Sequence, residues 1–112
     1  MPDWLAEFVF PSPWRDLRGH AADDHALALA LTAELQREVS AGHVLHERTC
    51  QVVALAYPAD DVVVVVNGML VAIVHLTHAQ ADRPPWPMTE IFASASSLMD
   101  GMEGRHPSEG YD

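Results

Sequence analysis

Seven histidines fall within 112 residues, and two of their spacings have the form His-x-x-His: His43/His46 and His75/His78, with Cys50 between the pairs. Imidazole and thiolate are ligands that borderline-soft metals such as zinc favour. The spacing nevertheless argues against a shared ion. Residues three apart on an extended strand point to opposite faces, so His75 and His78 could chelate together only if the strand ended between them. His43 and His46 would need a helical turn to share a face, and no close pair of cysteines completes either set. No metal and no cofactor is assigned.

His75 has the more specific setting. It shares a strand face with Val71 and Ile73, and the hairpin register counted below places it opposite Asp60. A carboxylate across the strand would orient the ring and decide which nitrogen carries the proton. In a pocket such a histidine is a general base, with Asp60, Glu90 or His43 as helpers. Outside one it is a half-buried ring whose polar atoms are satisfied.

The nucleophiles are less specific. Cys50 lies in a valine-rich strand, the usual setting of a buried, inert thiol. None of Ser94, Ser96 and Ser97 sits in a Gly-x-Ser-x-Gly elbow. Of the paired carboxylates, Asp23-Asp24 opens a helix and Asp60-Asp61 closes a turn, and each has a sufficient structural use. No catalytic residue is assigned; His75 with Asp60 and Glu90 is the catalytic alternative.

The elements that position these groups can be read from periodicity. Leu27, Leu31, Leu35 and Val39 recur every four residues and predict a helix over about 24–39, capped by Asp23 or Asp24 and stopped at Gly42. Glu34, Gln36, Arg37 and Glu38 crowd its last two turns and are expected mostly to face water. Three strands follow, at 49–57, 61–66 and 69–76. The last two are joined by Asn67-Gly68, a strong two-residue hairpin signal. That loop pairs Val66 with Met69, Val64 with Val71 and Asp61 with Val74, and leaves both faces of the hairpin apolar, so both must be covered. The helix can cover one. The other falls to an N-terminal arm over 1–20, rich in aromatics and proline, or to a second copy of the chain through the 62–76 hairpin. Pro84–Pro87 forms a stiff corner around Trp86. A short edge strand at 89–92 and a helix from Ser94 toward Met102 complete the domain at 103, and 104–112 has the composition of a flexible tail. The expected architecture is α+β: one long N-terminal helix packed on a small antiparallel β-meander, with a short C-terminal helix.

Charge narrows the partners. Sixteen acids oppose six bases, all arginine, for a net charge of -10. With no basic stripe there is no nucleic-acid surface, and without lysine there is no Walker-type phosphate loop. No apolar run is long enough to span a bilayer, the first residues lack the pattern of a signal peptide, and a single cysteine makes no internal disulfide, so the expectation is a cytoplasmic protein free of membranes. A charge of this size serves solubility, or steers the chain toward a basic partner. The expected function is a small, non-catalytic, acidic interaction domain of inhibitor or immunity type. Its expected contacts are Trp86, Asp60, Asp61, His43 and Arg48. The alternative is a small enzyme or ligand-binding domain centred on His75.

The run Val71-Ala72-Ile73-Val74-His75-Leu76-Thr77, followed by Pro84-Pro85-Trp86-Pro87-Met88-Thr89-Glu90-Ile91-Phe92 and Ser94, together with Gly42-His43-Val44-Leu45 after a leucine-rich helix, resembles a family of small standalone bacterial proteins catalogued as hypothetical. The resemblance spans roughly residues 25–100. It implies no activity, cofactor or catalytic residue. Typical members carry Trp at the position of His78, which weakens the reading of His75/His78 as a metal pair.

Overall fold

Two apolar faces on one hairpin demand two covering layers, and the chain supplies both itself. The structure, a computed structural model, describes residues 2–19, 21–56, 61–77 and 87–106. Its elements run α1 (Asp3–Ala6), β1 (Trp14–Asp16), α2 (Ala22–Glu38), β2 (Cys50–Ala56), β3 (Asp61–Val66), β4 (Leu70–His75), β5 (Thr89–Phe92) and α3 (Ala95–Arg105). The strands form one five-stranded sheet in the order β1-β2-β3-β4-β5, antiparallel throughout. The α+β class is as expected. The single long helix at the N-terminal end is not, because α2 follows a short helix and a strand.

On one face, Leu31 and Leu35 of α2 pack with Leu17 and Leu45 onto Val52, Val62, Val64, Ala72 and Val74. On the other, Leu5, Phe8, Phe10 and Trp14 of the arm join Leu98 and Met102 of α3 over Val53, Val63, Val65, Val71 and Ile73. The hairpin valines are accordingly 0–4 % exposed. The arm therefore docks on its own body and contributes β1, and the apolar demand that suggested a second copy at the 62–76 hairpin is met within the chain.

Arg18 clamps the arm in place. Its guanidinium donates to Leu5 O at 2.6 Å and Phe8 O at 2.7 Å, and lies 4.6 Å from the centre of the Phe10 ring. Asp16 holds the guanidinium from the other side at 2.9 Å. Leu5 O already accepts from Phe8 N–H at 3.1 Å, so the guanidinium adds a second donor there and supplies one to Phe8 O.

Helix α2 begins at Ala22 with Ala21 at the cap and no side-chain cap bond. Asp23 and Asp24 instead occupy the first turn, where their charge suits the helix dipole, and Asp24 also binds Arg15 at 2.5 Å. The helix stops at Glu38, and Gly42, at φ 91°, turns the loop beyond it. Thr32 ties helix to sheet: it donates to Ala28 O and accepts from Val52 N–H at 3.1 Å. Beside it the β2–β3 register shifts at a bulge between Val52 and Ala54.

The hairpin register differs by one residue from the two-residue count. Asn67 and Gly68 take positive φ and Met69 N–H bonds Val66 O, as the turn signal requires. Pairing then resumes at Val66↔Leu70 and runs to Val62↔Val74 and Asp61↔His75. Met69 is left out, 72 % exposed. The slip removes a flexible side chain from the ladder and matches a carboxylate with an imidazole at the far end, in place of Asp61 against Val74.

Ser94 caps α3 in a reciprocal capping box with Ser97. The helix passes the expected boundary at 103 and ends at Arg105, with His106 as its C-cap. Gly101 makes its packing possible: a Cβ there would lie 2.5 Å from the Phe92 ring.

Candidate functional site

The corrected register builds a row across one end of the sheet. Trp14 pairs with Ala56, Ala56 with Asp61, and Asp61 with His75. All four side chains belong to the face covered by the arm and α3, because neighbours in a ladder point the same way. His106, at the end of α3, closes over the row. Its ring meets Trp14 edge-on at 5.4 Å.

Asp61 is the hub. Its Oδ1 lies 2.7 Å from His75 Nδ1 and its Oδ2 lies 2.7 Å from His106 Nε2. A carboxylate only accepts, so both rings donate. His75 therefore donates from Nδ1 and His106 from Nε2, so in their neutral forms the two rings are opposite tautomers, with the lone pair of His75 on Nε2. Asp61 is 6 % exposed, whereas the His75 side chain is half exposed. Carboxylate, oriented imidazole and open ring nitrogen together form the arrangement that positions a general base or a hydrogen-bond acceptor.

His75 lines a shallow groove of about 340 Å³ together with Ile73, Met88, Thr89, Glu90 and Arg105. Glu90 and Arg105 are joined at 2.7 Å, and Arg105 also donates to Gly101 O. Among the described residues no serine, threonine or cysteine hydrogen-bonds to His75. No group of three or more His, Cys, Asp or Glu among the described residues could hold a metal ion.

Each expected residue can now be placed. His75 and Glu90 line one groove. Asp61, expected as a surface contact, is buried and holds His75, the role assigned to Asp60 from the wrong register. Asp60, His78 and Trp86 lie outside the described residues. His43 is 6 % exposed and does not present a contact surface. Leu45 N–H donates to its Nδ1 at 3.0 Å, which leaves Nε2 to donate to Pro87 O at 2.8 Å. It pins the 40–48 loop to the start of β5. Arg48 is exposed and caps Val44 O at 2.8 Å.

Cys50 borders a separate cavity of about 250 Å³ with Leu35, Val39, His46 and Arg48. Burial pushes its thiol above the usual range, and the nearby Arg48 charge only partly opposes this. Its burial, at 7 % exposed, is what its strand predicts.

Three residues escaped sequence reasoning. His106 fell in the presumed tail, although Leu98, Met102 and His106 recur every four residues. Trp14 was read only as part of the covering arm. Glu38 was placed in water, yet it is fully buried and accepts from Thr77 N–H at 2.8 Å and Thr77 Oγ1 at 2.9 Å.

Comparison with family models, with curated proteins and with solved structures returned no match to this chain. No helix among the described residues is long and apolar enough to cross a membrane.

Proposed function

We propose that this chain is a small acidic interaction domain that binds a basic partner protein, in the manner of an inhibitor or immunity-type regulator. The placement of charge carries the reading. Arg15, Arg18, Arg37 and Arg105 are held by Asp24, Asp16, Glu34 and Glu90, and Arg48 by a carbonyl. Asp3, Glu7, Asp23 and Asp100 are exposed with no ion pair among the described residues. Asp3 and Asp100 lie on α1 and α3, which cover the same sheet face, and Glu7 is the C-cap of α1, so their layer turns net negative charge outward. Such a surface accelerates encounter with a positive partner and repels copies of itself. Homodimerisation through the 62–76 hairpin forms no part of this reading, because that hairpin is already covered.

Affinity capture from host lysate at low and high salt, read by mass spectrometry, tests it. A stoichiometric basic partner lost as salt rises is the expected result. Absence of a partner at both salt levels overturns it.

One observation favours a second reading, a ligand site at His75: the Asp61 carboxylate holds the Nδ1 side of a half-exposed ring that lines a groove. A fragment screen followed by imidazole NMR tests it. Fragments that move the His75 signals and lose their effect in Asp61→Asn support it; a screen that leaves those signals unmoved removes it.

A further inference from the structure

We infer that the outer edge of β5 is a docking edge for an extended, basic segment of a partner protein; this rests on the interaction-domain reading and adds where and how the partner binds. His75 N–H donates to Met88 O at 3.0 Å, which decides which backbone groups of β5 face β4. Antiparallel bonds recur at every second pair, so Glu90 and Phe92 share theirs with Ile73 and Val71. The N–H and C=O groups of Thr89 and Ile91 therefore point away from β4. Among the described residues no backbone group bonds to them.

The two edges of the sheet differ. At the other edge, β1 is three residues long and carries Arg15 and Asp16, the usual protection against added strands. Beside β5 the surface is apolar. Ile91 is 42 % exposed, and Leu70, on the same sheet face one ladder step away, is 37 % exposed. Helix α2 packs chiefly over β2 and leaves this strip uncovered. On the opposite face, Glu90 lines the His75 groove and is more than half exposed.

An added strand would alternate its side chains between these faces. One set would rest on Ile91 and Leu70, and the other would reach Glu90, where a basic side chain would exchange with Arg105, which holds that carboxylate at 2.7 Å. The fitting segment thus alternates apolar and basic residues. A second copy fits poorly, because two chains of -10 charge would repel one another.

The probe is a short N-acetylated peptide alternating arginine and valine, titrated into the 15N-labelled full chain. Expected are shifts and hydrogen-exchange protection at the Thr89 and Ile91 amides. Affinity should fall at least about tenfold on N-methylation of the edge-facing peptide amides or with Ile91→Pro, which removes an outward N–H and spares the β4 bonds. A block peptide of the same composition should bind more weakly. Circular dichroism and the Phe92 and Ile73 amides report whether Ile91→Pro keeps the fold, and the N-methylated peptide tests the same bond without any substitution. Shifts confined to the surface around Asp3, Glu7 and Asp100 would overturn edge docking and leave the acidic-domain reading standing. Binding indifferent to N-methylation, or no binding at all, also overturns it, while salt-sensitive capture decides the broader reading separately.

Discussion

His106 Nε2 donates to Asp61 Oδ2 across 2.7 Å, tying the last residue of the described chain to the first residue of β3. The other oxygen of Asp61 holds His75, so one carboxylate fastens α3 to the sheet and orients the ring that borders the groove.

Asp61→Asn should therefore disturb two histidines at once. The amide keeps one acceptor and places an NH2 donor against a ring nitrogen that donates in the native chain, so that ring must switch tautomer or lose the bond, a loss of about 1–3 kcal/mol. Urea denaturation reads the loss. Nitrogen-15 spectra of the imidazoles should show the single-tautomer patterns of His75 and His106 averaging. Spectra left unchanged by Asp61→Asn would contradict the register.

Gly101→Ala should loosen α3. The new methyl would sit 2.5 Å from the Phe92 ring, closer than real contacts allow, so helix or ring must move. Overpacking of this kind costs about 1–3 kcal/mol. Pairing it with Phe92→Leu should cost less than the sum of the two single changes, measured by thermal unfolding in a double-mutant cycle.

Arg18→Met should free the arm. Two carbonyls lose a charged donor and Phe10 loses its cation, so a loss of about 2 kcal/mol or more is expected. Limited proteolysis should then cut within the first twenty or so residues before the body unfolds. The same clamp gives a pH dependence. Hydrogen bonding from Arg18 holds the Asp16 carboxyl below its usual range. Its contribution is complete above the unfolded carboxylate range and fades as pH falls through the lowered native value. Asp16→Asn should flatten that acid limb.

Cys50 should react slowly. Burial disfavours its thiolate, so alkylation by iodoacetamide at about pH 8 should be at least about tenfold slower than in the urea-unfolded chain. Because the native thiol titrates above the unfolded one, stability from this group is complete below the ordinary thiol range and declines as pH rises through it. Cys50→Ala should remove that alkaline decline. Equal native and unfolded alkylation rates would show the thiol to be accessible.

Much of the fold was legible in local chemistry. The four-residue leucine repeat marked α2, valine-rich runs marked β2 to β4, Asn67-Gly68 marked the turn and Ser94 the start of α3, because each depends on residues a few positions apart. The doubly apolar hairpin also required two covering layers, whatever supplied them.

The site depended on longer-range choices. Whether the ladder restarts at Met69 or Leu70 turns on matching Asp61 to His75 fourteen positions away, and on the solvent's tolerance of Met69. A one-residue slip exchanges every partner while leaving the local pattern unchanged. His106 joined the cluster only because α3 packs on Phe92 and runs one turn further than its composition suggested. Sequence alone determined the elements and their apolar faces, which arise from local periodicity. Tertiary packing decided the register, the side on which the arm docks and the grouping of Asp61, His75 and His106, because those follow from contacts between residues far apart in the chain.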